Sequence, residues 1–186
     1  MADEVWLVRH GETEWSRDGR HTSTTDLPLT EPGRAVAATL RRRLADEEFS
    51  LVLTSPRERA RETARLGGHP EAQVDDDLVE WDYGELEGLT TEQIRETYPG
   101  WTIWQGPVPG GESAGQVSDR LDRVVARCRA TGGRVLLFGH GHCLRALAAR
   151  WLELPVAEGR HLRLDTATIS VLGFERDTPV VLRWNL

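Results

Sequence analysis

The sequence predicts one three-layer α/β/α domain with a mostly parallel central sheet. Three observations predict it. Short apolar runs of strand length alternate with longer segments whose apolar residues recur at helical spacing, the pattern of a parallel sheet covered by helices on both faces. The first runs end in polar or glycine-containing loops, as strands that feed crossover connections do. At 186 residues the chain is long enough for one domain with a substantial core and too short for two comfortable ones.

The first strand is read at Val5–Val8, a short apolar run that ends in "RHGE". A helix over Gly33–Leu44 follows, from Val36, Leu40 and Leu44 at helical spacing and from "LTEPG", which supplies a threonine start signal and a first-turn proline. "FSLVLTSP" is a second strand closed by proline, and "RERARETARL" a polar helix with Ala60 and Ala64 on one face. Residues 73–88 are acidic and punctuated by glycine, without a sustained period, so they read as loop with short strands. "TTEQIRETYP" is a short helix with a threonine cap and a proline stop. Ser113 caps a long helix on which Val117, Leu121, Val124, Val125 and Cys128 form one stripe. "TGGRVLLFG" is the third strong strand, "HCLRALAARWLEL" the helix after it, and "ATISVLGFE" and "PVVLRWNL" are two closing strands.

Composition narrows the partners. No stretch approaches the roughly 20 apolar residues of a bilayer span, so no membrane partner is expected. The net charge of −7 argues against a nucleic-acid surface, which would show as a basic stripe. "MADEVWLVRH" lacks the basic start and long apolar core of a secretory signal, and the two distant cysteines, Cys128 and Cys143, suggest no disulfide framework. The expected location is therefore cytoplasmic. All 23 basic residues are arginine. Without lysine there is no Schiff base, no pyridoxal anchor and no Walker A loop; what remains is a planar fork suited to phosphate and carboxylate.

In a parallel sheet, ligands bind at the carboxyl ends of the strands. There the sequence places Arg9, His10, Gly11, Glu12 and Thr13, then Ser55, Arg57, Arg59 and Arg61, then His140, Gly141 and His142. An arginine cluster implies an anion, and a histidine among arginines invites phosphoryl transfer. Surrounding guanidinium groups disfavour the imidazolium, leaving a neutral nucleophile near pH 7. The covalent product would be a phosphohistidine, with the arginines holding the transferring oxygens. A carboxyl group must protonate the leaving oxygen and later deprotonate water. Spacing alone leaves Glu12, Glu80, Asp82 and Glu85 as candidates.

At these residues the chain resembles the histidine phosphatase superfamily, whose best-known member type is cofactor-dependent phosphoglycerate mutase. "LVRHGETEW" is similar to its signature, "GRHTSTTDLPLTEPGR" to its first-loop segment and "LTSPRERARETA" to its Ser-Pro-x-x-Arg-Ala element. "LVEWDYGELEG", "PGGES" and "VLLFGHGHCLRAL" resemble three further elements in the family's order, so the likeness spans nearly the whole chain. It implies a phosphoglycerate mutase-like fold, His10 as the phosphorylated residue, and Arg9, Arg59 and His140 as the rest of the phosphate pocket. It also implies Glu80 as the proton donor, three residues before the Tyr83-Gly84 pair. Substrate contacts are implied for Ser16, Thr22, Ser23, Trp81, Asp82, Tyr83, Gly141 and His142. Two positions depart from the pattern: the family usually has asparagine where Ser16 stands and glycine where Ser23 stands.

Only 59 residues separate Glu80 from His140, and the segment 90–111 is short. The resemblance therefore points to a phosphatase of a small phosphorylated metabolite, a sugar phosphate or phosphoglycerate, rather than to a mutase, whose longer insertion covers the site. Neither a cofactor nor a metal is expected, and the oligomeric state, a dimer included, is left open. Two readings from other classes stand beside it. A metallohydrolase would use His10, His140, His142 and an acid such as Asp165, although "HGHCL" has no acid at close spacing. A non-catalytic phospholigand-binding module would keep the fold without turnover.

Overall fold

The structure is a computed structural model that describes residues 2–186. Six strands form one sheet: β1 (Ala2–Arg9), β2 (Leu51–Thr54), β3 (Gln73–Val74), β4 (Gly133–Gly139), β5 (Ile169–Glu175) and β6 (Thr178–Arg183). Their order is β3-β2-β4-β1-β5-β6, with the first four parallel and the last two antiparallel to their neighbours. Only two residues, Arg176 and Asp177, join β5 to β6, too few for a crossover, so this pair closes as a hairpin.

Six α-helices accompany the sheet among the described residues: α1 (Glu14–Arg17), α2 (Glu31–Leu44), α3 (Glu58–Leu66), α4 (Thr91–Thr97), α5 (Ala114–Ala130) and α6 (Gly141–Trp151). Strand alternation divides the core between two faces. Val5 and Leu7 of β1 cluster with Leu121 and Val124 of α5 and with Leu144 and Trp151 of α6. Trp6 and Val8 turn the other way, onto Ala37, Leu40 and Leu44 of α2 and Ala64 of α3. Each such leucine contributes about 1.5–3 kcal/mol by leaving water, which fixes both layers on the sheet.

The expected helix starts hold. Thr30 accepts a hydrogen bond from the Gly33 amide at 3.0 Å, and Ser113 and Gln116 cap α5 reciprocally. The expected face of α2 needs one correction. Val36 is 51 % exposed, and the buried stripe is Gly33, Ala37, Leu40 and Leu44. Small residues at 33 and 37 let the helix approach closely: a Cβ on Gly11, in the loop after β1, would stand 2.8 Å from the Gly33 carbonyl oxygen. That contact seats the loop carrying His10 against α2. Four elements go beyond the sequence reading, the single turn α1 capped by Thr13 and 3-10 stretches at Asp76–Leu78, Gly84–Leu86 and Val156–His161.

Because β1, β2 and β4 are parallel, their carboxyl ends share one edge. The ladder continues just past it, with His10 N–H donating to Gly139 O and Ser55 N–H to Phe138 O, both at 2.9 Å. Arg9, His10, Ser55 and His140 are thereby neighbours.

Candidate active site

His10 is almost fully buried, and its Nδ1 lies 2.7 Å from the Gly11 carbonyl oxygen. A carbonyl only accepts, so Nδ1 carries the proton and Nε2 keeps the lone pair. Burial first, then the Arg59 and Arg9 guanidinium groups, hold this imidazole well below the usual histidine range. It is a neutral ring with a defined free nitrogen. Arg9 donates through one terminal nitrogen to Leu164 O at 2.6 Å, while its buried Nε has no partner in the protein. That donor is unpaired and buried against Gly141 at the start of α6.

Arg59 has no exposed surface. Its Nε donates to His140 Nδ1 at 3.2 Å, which leaves the single ring proton of His140 on Nε2, donated to Ser55 Oγ at 2.7 Å. Both ring nitrogens of His140 are thus engaged by the protein, and its ring stands 5.2 Å from that of His10. The rest of the Arg59 fork is taken by loop carbonyls: Thr25 O at 3.0 Å, Thr22 O and Ser23 O at 3.2 Å. Arg59 and His140 form a buried floor behind His10.

Glu80 comes from the irregular stretch before the Tyr83-Gly84 turn and meets the start of α6. The α6 N-cap residue is His140, which makes no side-chain cap. Glu80 supplies one from outside: Oε1 accepts from Trp81 N–H at 2.9 Å and Cys143 N–H at 2.7 Å, and Oε2 accepts from His142 N–H at 3.0 Å. The carboxylate satisfies orphan amides at the positive end of the helix. Oε2, with one donor, is the oxygen with room for a proton.

A cavity of about 240 Å³ opens over these groups. Of the residues singled out from the sequence, Arg9, His10, Ser16, Thr22, Glu80, Tyr83, Gly141 and His142 line it. Ser23, Trp81 and Asp82 do not, and neither do Arg59 and His140, expected in the phosphate pocket and found fully buried in the layer behind His10. Ser23 is buried and turned to Glu87; Trp81 lies in the core with its indole N–H on Glu112 O at 2.9 Å; Asp82 accepts from the Gly84 amide at 2.9 Å and shapes the turn. The four carboxylates left open by spacing also separate. Glu80 lines the cavity, whereas Glu12 accepts from the Thr30 hydroxyl at 2.7 Å and Glu85 is exposed. Ser16 faces the cavity, but its hydroxyl is bonded to the backbone of Thr13 in the α1 cap.

Sequence reading missed Arg20 and Arg145, which make three guanidinium groups on the wall with Arg9 against one carboxylate. Arg145 falls one helical turn after Gly141, a spacing that could have flagged it. His142 is bonded to the Tyr83 hydroxyl at 2.6 Å and stacks on His21 with the rings 6° from parallel. With Thr91 this pair opens onto a second cleft of about 280 Å³ walled by Trp101 and Trp104. Among the described residues, no group of three or more His, Cys, Asp or Glu side chains converges as a metal-ligand set, and no helix is long and apolar enough to cross a membrane.

The sequence profile of the histidine phosphatase superfamily (branch 1) matches residues 5–186. The chain belongs to this superfamily. An acid phosphatase of Mycobacterium tuberculosis is 46 % identical over 173 residues, covering 91 % of this chain and 85 % of that protein. A sedoheptulose 1,7-bisphosphatase of Saccharomyces cerevisiae is 37 % identical, covering 81 % of this chain and 68 % of the relative. A solved Mycobacterium tuberculosis open reading frame product superposes with a TM-score of 0.93 at 42 % identity, covering 98 % and 97 % of the two chains. The family and fold implied by the motifs are thus the family and fold found.

This histidine phosphatase superfamily member keeps four site histidines neutral at a cost in acid stability. His10, His21, His140 and His142 are all held below the usual imidazole range, by burial first, with arginine charge adding at His10 (Arg59, Arg9), His140 (Arg59) and His142 (Arg145). The unfolded chain therefore binds more protons than the folded one once the pH drops below about 6.5, and stability falls as pH falls, by up to about 1.4 kcal/mol per pH unit for each histidine. Thermal melts at about pH 7.5 and about pH 5 should show a steep loss of Tm at the lower value. A Tm that is level or rises on acidification would contradict the buried neutral set.

Proposed function

We propose that the chain is a phosphomonoesterase that acts without a metal, through a phosphohistidine on His10 with Glu80 as general acid and base. The observation that carries this reading is the His10 imidazole: neutral, tautomer fixed by Gly11, on the wall of a cavity with an unpaired Arg9 donor and the Glu80 carboxyl. Nε2 attacks phosphorus, the bond from phosphorus to the ester oxygen breaks, and the Glu80 proton passes to the departing alcohol. Water then attacks the phosphohistidine, Glu80 takes its proton, and the electron pair of the broken P–N bond returns to Nε2. Arg9 and the Arg59 floor supply positive charge to the transferring oxygens.

The substrate is a small phosphorylated metabolite. Support comes from three guanidinium groups around a cavity of about 240 Å³ in a chain of net charge −7, and from relatives named for acid phosphatase and sugar bisphosphatase activity. His21, His142 and the Trp101–Trp104 cleft stand where the alcohol part would lie. Hydrolysis of p-nitrophenyl phosphate and of a panel of sugar phosphates and phosphoglycerates, with and without EDTA, tests the reading. The expected result is release of inorganic phosphate at a rate that EDTA leaves unchanged. Loss of activity on chelation, restored by a divalent cation, overturns it in favour of a metallohydrolase; phosphate moved to a second position of the same metabolite overturns it in favour of a mutase.

A further inference from the structure

Glu87 has no part in the chemistry above, yet it is bonded to the loop that holds Arg59. It follows the turn Gly84–Leu86, and its carboxylate accepts from Ser23 N–H at 3.0 Å on each oxygen and from Thr25 N–H at 2.9 Å. The Ser23 hydroxyl donates to it as well. The adjoining residues are stitched together in the same place: His21 N–H donates to Leu89 O at 2.9 Å and Gly88 N–H to His21 O at 2.8 Å.

The loop thus faces two ways. Its amides at 23 and 25 point to a carboxylate, and its carbonyls at 22, 23 and 25 point to the Arg59 guanidinium. Arg59 in turn fixes the proton position on His140. The peptide group between Thr22 and Ser23 is polarised between the anion at its N–H and the cation at its carbonyl, so the carboxylate acts on the guanidinium through the loop without touching it. Ser23, a departure from the family's usual glycine, fits this picture: its φ is not in the left-handed region, so a side chain is admitted, and the hydroxyl adds a rung to the clamp.

We propose that Glu87 is a positioning residue for phosphoryl transfer, clamping residues 22–25 so that the carbonyls of Thr22, Ser23 and Thr25 aim Arg59, and through it His140, at the His10 pocket. The proposal rests on the phosphatase reading, and two readouts keep them apart: hydrolysis of p-nitrophenyl phosphate, and the affinity for orthovanadate, which reports the pocket without turnover. If the wild-type protein hydrolyses nothing, the phosphatase reading fails and vanadate affinity alone judges the clamp.

Glu87→Gln keeps the side chain's shape but presents an NH₂ group to amide donors. The expected result is a loss of about ten- to a hundredfold in both kcat/KM and vanadate affinity, in a protein still folded by circular dichroism at the assay temperature. Ser23→Ala should lose about three- to tenfold and Ser23→Thr should keep most of the activity, because the hydroxyl is what matters. In an Arg59→Met background, Glu87→Gln should add less than about twofold, since its route to the pocket is gone. Losses that multiply in the double variant overturn the proposal. Vanadate affinity like that of the wild type in Glu87→Gln also overturns it, and this result does not depend on Arg59→Met being able to fold.

Discussion

His10→Ala is expected to abolish turnover, with a loss on the order of 10⁴-fold or more, because the covalent route needs the lone pair of the His10 ring in its place. The ring 5.2 Å from that of His10 belongs to His140, and both of its nitrogens are occupied, by Arg59 and Ser55. Alanine leaves the backbone link from residue 10 to Gly139 in place, and it removes a buried polar ring rather than a core anchor, so the fold should survive. Steady-state kinetics on p-nitrophenyl phosphate, alongside vanadate binding to confirm an intact pocket, measure it. A variant that keeps most of its activity would mean that water attacks the ester directly.

Glu80→Gln is expected to cost on the order of 10²- to 10⁴-fold in kcat, the range for removing a general acid. The loss should depend on the leaving group. Nitrophenolate departs without a proton, whereas the alkoxide of a sugar does not, so the loss should be greater for an alkyl phosphate than for the aryl ester. The variant should also be less stable. Glutamine can keep one oxygen for the Cys143 and Trp81 amides but turns an NH₂ toward His142 N–H, leaving a buried donor unpaired at a cost of about 1–3 kcal/mol. The ratio of kcat/KM between the two ester types, which reports the first step, separates the chemical effect from the structural one. Equal losses of kcat/KM on both esters would deny Glu80 the proton-donor role.

The edge at which the site lies is legible in the sequence. Three short apolar runs, each followed by a helical segment, place residues 9–10, 55–61 and 140–142 at one end of a parallel sheet, because the crossover rule leaves no alternative. The motifs then named the family, and the chain's match to it over residues 5–186 agrees. What sequence could not tell was direction. Within "VEWDYGELEG" spacing left Glu80, Asp82 and Glu85 open and the resemblance alone implied Glu80; the fold shows Glu80 capping α6 on the cavity wall and Asp82 capping its own turn. Trp81 and Ser23 sit within a residue of the pocket in sequence, but an irregular stretch has no period from which to read a face, and both turn away. Arg145 was hidden for the opposite reason. It lies on a helix read for its apolar stripe, and its approach to the cavity depends on where α6 begins.

The most direct test of phosphoryl transfer through His10 is to quench the enzyme during turnover of p-nitrophenyl phosphate and locate the covalent phosphate by peptide mass spectrometry under alkaline conditions that preserve phosphohistidine. The prediction is one acid-labile phosphoryl group on the peptide carrying His10, present in the wild-type protein, accumulating in Glu80→Gln where water activation is impaired, and absent in His10→Ala. No adduct in Glu80→Gln despite a measurable burst of nitrophenol, or an adduct on any residue other than His10, would contradict it.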